Sequence, residues 1–192
     1  MKPRPVRGFI VADVAFPLFK WLVYALLAAN VVLYGMHGTV NEQLDTAAWV
    51  VLLLLFEWET GGWRLGPRGR VVVHATRLLA SLAVVTACAA YAAQREWLDF
   101  ANALAWLGVV VALELEVRVP PTRRRFHLAR RALAFGLYAA LTAFLVAWLL
   151  IGIAERDAGA WLDAWDAALW LLAFAAIELN VFGWGAPRGA RG

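Results

Sequence analysis

Residues 42–59 read EQLDTAAWVVLLLLFEWE, and the same arrangement returns at residues 99–116, DFANALAWLGVVVALELE, and at residues 163–180, DAWDAALWLLAFAAIELN. Aligned on Trp49, Trp106 and Trp170, each copy has an acid seven residues earlier (Glu42, Asp99, Asp163) and an Asp or Asn four residues earlier (Asp45, Asn102, Asp166). Eight residues after the tryptophan stands Glu57, Glu114 or Glu178, and ten after it Glu59, Glu116 or Asn180. Between these polar ends each copy is almost wholly apolar, which is the pattern of a helix long enough to cross a lipid core with its polar groups near the two faces.

The rest of the chain agrees. Of its 192 residues, 63% are hydrophobic and 17% charged, 11 are Trp, and the net charge is +4. Soluble domains run at about 45–50% apolar and about 25% charged, so an ordinary soluble domain is excluded. A bilayer core about 30 Å thick needs about 20 apolar residues in a helix. Six such stretches occur, at 16–36, 41–63, 71–93, 97–119, 132–154 and 161–184, and no room for a soluble domain is left. The first carries no small-residue cleavage signature and is expected to stay in the mature protein. The single cysteine, Cys88, excludes an intrachain disulfide and a cysteine-based metal site.

Basic residues predict the orientation, because loops rich in Lys and Arg stay cytoplasmic. Lys2, Arg4 and Arg7 precede the first span; Arg64, Arg68 and Arg70 follow the second; Arg118, Arg123, Arg124 and Arg125 follow the fourth; Arg188 and Arg191 close the tail. The alternate loops hold only Arg95 and Arg156, beside Glu96, Glu155 and Asp157. Both termini are predicted cytoplasmic, and the basic run is expected to serve topology and anionic lipid headgroups, with no nucleic-acid partner.

The odd-numbered spans extend the repeat. Lys20 and Arg77 both stand 29 residues before their tryptophans, and Tyr34 and Tyr91 both stand 15 before. With about seven extra residues allowed in the third unit, Trp148 takes the tyrosine position and Arg131 falls about one turn from the base position. The predicted fold class is therefore all-α: a single transmembrane domain over 1–192, built as three tandem helical hairpins at about 14–63, 71–119 and 126–184 with a pseudo-threefold internal repeat. Units of two helices keep one orientation, unlike the inverted repeats of three-helix halves.

Two sets of polar residues carry the candidate chemistry. Glu42, Asp45, Asp99, Asn102, Asp163 and Asp166 share a helical face with the tryptophans at the non-cytoplasmic mouth, since separations of three, four and seven residues bring side chains together. They read either as an electronegative vestibule that concentrates cations or holds a divalent ion through oxygen ligands, or as helix caps. Glu57, Glu114 and Glu178 lie about 25 Å further along at 1.5 Å per residue, in the inner leaflet, where a charge demands a partner, water or a proton. Lys20, Arg77 and Arg131 are positioned to pair with the glutamates of their own hairpins. Glu59 and Glu116 point about 200° away from the first acids, so one acid of a pair is expected to face a base and the other a path; Asn180 keeps an oxygen there without the charge.

The aromatics divide by depth. Trp21, Trp49, Trp63, Trp97, Trp148, Trp161 and Trp184 are expected in the interfacial belt, and Trp106 and Trp170 between helices. His37, His74 and His127 are dispersed, and no nucleophile elbow, zinc-protease or phosphate-loop motif occurs, so the expectation is a protein that is not an enzyme and holds no cofactor. The functional expectation is a small cation or proton channel or transporter of a bacterial inner membrane, whose ion-binding or relay groups are Glu57, Glu59, Glu114, Glu116, Glu178 and Asn180. Its partners are the bilayer, an inorganic cation or proton, and a second copy or another membrane protein. The alternative is a non-catalytic accessory or assembly subunit whose acid-base pairs are structural.

Overall fold

The computed structural model describes the backbone of residues 8–60, 66–119 and 124–181, with side chains described for 17–59, 66–115, 119 and 125–175. The described residues form six helices: α1 (Gly8–His37), α2 (Val40–Thr60), α3 (Pro67–Gln94), α4 (Trp97–Arg118), α5 (Arg124–Glu155) and α6 (Ala158–Val181). Each helix packs against its neighbours in sequence, and α6 returns to pack against α1, so the six close into a ring.

Three tight turns define one end of the ring. At Gly38–Thr39 the Thr39 N–H donates to Glu42 Oε2 at 2.6 Å while the Glu42 N–H donates to Thr39 Oγ1 at 3.3 Å. This reciprocal capping box satisfies two of the orphan donors of a helix start. At Arg95–Glu96 the chain leaves α3 with Arg95 at φ 64°, and the amides of Arg95 and Glu96 donate to the carbonyls of Ala92 and Tyr91. That is a Schellman closure, made here without the usual glycine. At Arg156–Asp157 the Asp157 carboxylate accepts from the Gly159 N–H at 2.9 Å and caps α6. The same hairpin is drawn close where the Trp161 indole donates to the Gly152 carbonyl at 3.1 Å.

The middle of the ring is apolar. Leu27, Leu53, Val109, Leu141 and Phe174 meet there from five helices, directly beyond Trp106 and Trp170. The outside is apolar too: Leu79, Val71, Phe135, Ile153, Leu78 and Leu150 all stand exposed on the helix surfaces. A soluble monomer does not expose apolar surface on this scale. Four stretches, Pro17–His37, Pro67–Gln94, Trp97–Leu115 and Arg125–Glu155, are long and apolar enough to cross a membrane, which is compatible with an integral membrane protein. The other two helices, α2 and α6, carry Glu42, Asp45, Glu57 and Glu59, and Asp163 and Asp166, among their described side chains. Of these acids, Glu42, Asp45, Asp163 and Asp166 line a cavity inside the ring.

Candidate functional site: a carboxylate cavity at the short-turn end

Immediately inside the three turns lies a polar cavity of about 40 Å³ lined by Tyr34, Glu42, Asp45, Thr46, Tyr91, Asp99, Asn102, Trp148, Asp163, Asp166 and Ala167. A second cavity of about 30 Å³ continues from it, sharing Asp45, Thr46, Asn102 and Asp166 and ending on Trp49, Trp106 and Trp170. Each has room for one to a few water-sized species, since about 10–15 Å³ holds one water.

Helix geometry explains how the acids are held. An acid and a tryptophan four residues later lie one above the other on a helix. The Trp49 indole thus donates to Asp45, and the Trp170 indole to Asp166. Donors from the odd-numbered helices come across to the same groups. Tyr34 Oη donates to Asp163 Oδ1 at 2.8 Å, Asn30 Nδ2 to Asp166 Oδ1 at 2.6 Å, and Tyr91 Oη to Asp45 Oδ2 at 3.5 Å. Every one of these donors is neutral. Among the described residues, none of the five carboxylates around the cavity is ion-paired with a Lys or Arg. Three oxygens in this cluster, Asn30 Oδ1, Asp45 Oδ1 and Asn102 Oδ1, are buried without a hydrogen-bond partner. An unmet buried acceptor costs about 1–3 kcal/mol, so the arrangement favours an occupant that brings positive charge or hydrogen-bond donors.

The cavity is closed on its far side. Trp170 stands edge-on to both Trp49 and Trp106, with centroids 6.1 and 6.3 Å apart, and Phe174 lies 4.8 Å from Trp106. The apolar middle of the ring follows. Trp49 was expected in an interfacial belt, as was Trp148, but Trp49 packs in this central layer and Trp148 is buried beside the acids.

At the opposite end, acids meet bases. Lys20 Nζ pairs with Glu57 Oε1, and Tyr24 Oη also donates to Glu57, at 3.3 Å. Arg77 pairs with Glu59, which belongs to α2 of the preceding hairpin rather than to its own partner α4. Arg131 is exposed at the rim of a cavity of about 200 Å³ between α4 and α5, beside Arg130 and Tyr138. Glu114 is exposed, and the side chains of Glu116, Glu178 and Asn180 lie outside the described residues.

The equivalent outer acids differ in what they do. Glu42 combines both expected roles, capping α2 and lining the cavity. Asp99 stands in the first turn of α4. Asp163 is no cap: α6 begins at Ala158, Asp157 caps it, and Asp163 points to Tyr34 from the second turn. Sequence reasoning gave no role to Asn30 or Thr46, and none to the two tyrosines beyond their register. The available signal was Asn30 itself, a lone amide inside the apolar run of α1, now fully buried at 0% exposure.

Compared with known proteins, the chain matches no family model, and neither a curated protein nor a solved structure proved similar to it.

Proposed function

We propose that this chain is a small membrane channel or transporter for protons or other small cations, with its binding site in the carboxylate cavity at the short-turn end. The observation that carries the reading is the convergence of Glu42, Asp45, Asp99, Asp163 and Asp166 on one cavity whose polar partners are neutral. Buried like charges are costly unless something positive joins them. Intramembrane acids facing a bundle interior are the usual form of an ion or proton pathway.

In this reading the chain crosses the membrane six times, as three hairpins about a pseudo-threefold axis, with both termini cytoplasmic in a bacterial inner membrane. The cavity then faces the non-cytoplasmic side. Support for the rotation comes from the contacts. Tyr34 of the first hairpin meets Asp163 of the third, Tyr91 of the second meets Asp45 of the first, and Trp148 of the third lines the cavity with Asp99 and Asn102 of the second. Glu57 and Glu59 hold helix register through Lys20 and Arg77, while Glu114, Glu116, Glu178 and Asn180 serve as the relay toward the cytoplasmic face. Because the tryptophan layer lies across the route, passage requires that layer to move, which is alternating access rather than an open pore.

The test is cation and proton flux into liposomes containing the purified protein. Flux above that of protein-free liposomes, lost on Asp45→Asn/Asp166→Asn in a protein that keeps its helicity, is expected. No flux under any imposed gradient, or undiminished flux in the variant, contradicts the proposal. A second reading, a non-catalytic accessory subunit built to accompany another membrane protein, is favoured by the sealed apolar middle of the ring. It requires a stoichiometric membrane partner in gentle detergent extracts and no flux by the chain alone.

A further inference from the structure

The hydrogen bonding around the cavity leaves particular acceptors unmet. Its oxygens come from Glu42, Asp45 and Thr46 on α2, Asp99 and Asn102 on α4, and Asp163 and Asp166 on α6. The donors facing them are the hydroxyls of Tyr34 on α1 and Tyr91 on α3, the Asn30 amide on α1, and the indoles of Trp49 and Trp170. Each is already directed at a carboxylate oxygen of Asp45, Asp163 or Asp166. The helix left over, α5, contributes Trp148, whose indole is a further donor, as are the Thr46 hydroxyl, the Asn102 amide and the Trp106 indole, but none of them reaches the two oxygens that stay unmet. Asp45 Oδ1 and Asn102 Oδ1 remain buried without a donor, although both residues line the two cavities. Behind them Asn30 is wholly buried, with its amide directed at Asp166 and its own Oδ1 unmet.

What these oxygens lack is hydrogen-bond donors, and the surrounding carboxylates call for positive charge. A metal ion answers a different arrangement: several oxygens converging at coordination distance on one point. Among the described residues no three His, Cys, Asp or Glu side chains are grouped to hold a metal. The carboxylates are instead spread around cavities of about 40 and about 30 Å³, with Asp45, Asp163 and Asp166 each tied back to a neutral donor.

We infer that the occupant of this cavity is a hydrogen-bond-donating cation about the size of a water molecule, a hydronium or an ammonium ion, and not a metal ion. The inference rests on the reading of the cavity as a cation site and specifies its cargo. Either ion presents three or four donors from one centre, and Asp45, Asn102 and Asp166 all line both cavities. In the hydronium case the proton passes to a carboxylate oxygen and leaves a neutral water, so charge and atoms balance without a further reactant. Tyr34 and Tyr91, each bonded to an acid, extend the same hydrogen-bonded chain toward the mouth.

Infrared difference spectra of the protein in lipid, perfused in turn with each ion, test this independently of flux. Acidification from about pH 8 to about pH 6 without ammonium leaves exposed carboxylates ionised and reads the hydronium source. Ammonium chloride at constant pH reads the other. At least one is expected to change carboxylate bands that disappear in Asp166→Asn, while sodium, potassium and calcium salts leave those bands unmoved. Asn102→Leu keeps every carboxylate and removes one buried acceptor, and is expected to weaken the response at least threefold. Bands sensitive to Asp166→Asn that respond to sodium, potassium or calcium overturn the inference, as does the lack of any response to both acid and ammonium. A response without flux in liposomes leaves the occupant standing and removes the transport reading instead.

Discussion

The two ends of this helical ring treat the same side chain in opposite ways. At the end opposite the tight turns, Glu57 and Glu59 are each paired with a base. At the short-turn end, five carboxylates gather around one cavity with tyrosines, indoles and amides for company. An acid beside a base is satisfied by folding and needs nothing else. An acid among neutral donors is only partly satisfied, and its remaining demand falls on whatever enters. On the proposed function, this difference separates groups that fasten helices from groups that take a ligand.

The comparison breaks most visibly at Lys20. Lys20→Met takes the base from Glu57 in a part-buried site where the Tyr24 hydroxyl still donates to the carboxylate, and the side chains of the pair are just 15% and 20% exposed. Removing one partner of such a pair costs about 3 kcal/mol, which thermal unfolding in detergent would register as a clear loss. A change under about 0.5 kcal/mol would mean the pair is not a fastener.

Next in size is Trp170→Phe, which removes the indole donor to Asp166 while keeping an aromatic ring against Trp106. A hydrogen bond to a charged group contributes about 1.5–3 kcal/mol, and a loss of about 2 kcal/mol is expected. In an Asp166→Asn background that loss should shrink by half or more, because the two positions act as one unit. An unchanged cost would show that packing, not the hydrogen bond, holds the indole.

Asp166→Asn on its own should carry the opposite sign from changes at the other end. It removes an uncompensated charge while its amide oxygen still accepts from Asn30 and Trp170. A gain of about 1 kcal/mol is expected in an ammonium-free buffer at about pH 8, since replacing unpaired buried charge is often stabilising. Chemical denaturation of the two proteins side by side checks the sign. Smallest of all is Arg77→Gln. The Arg77 and Glu59 side chains are 38% and 46% exposed, and pairs this open contribute about 0.2–1 kcal/mol, so a shift within about 0.5 kcal/mol is expected.

Much of this contrast was legible in residues 42–59 and their two echoes. The four-residue step from Asp45 to Trp49 and from Asp166 to Trp170 is one helical turn, and it is the step across which indole and acid bond. Spacing along one helix says nothing about which neighbour that helix meets. The sequence therefore pointed Arg77 to its own hairpin, while the ring turns it toward Glu59 on α2. The same gap hid Asn30 and Tyr34, whose partners on α6 are met only because the last helix closes onto the first. The repeat also concealed a difference in depth. The longer third hairpin starts α6 at Ala158 and caps it with Asp157, so Asp163 is freed from the capping work that Glu42 performs on α2.

The central claim is that the carboxylates without bases, and not those paired with them, bind what crosses the membrane. The most direct measurement is proton, ammonium and sodium flux in one set of liposomes for three proteins: the parent, Asp45→Asn/Asp166→Asn and Glu59→Gln/Arg77→Gln. The account predicts flux in the parent that survives neutralising the Glu59–Arg77 pair and is lost when the cavity acids become amides. Flux lost with the pair but retained with the amides would contradict it.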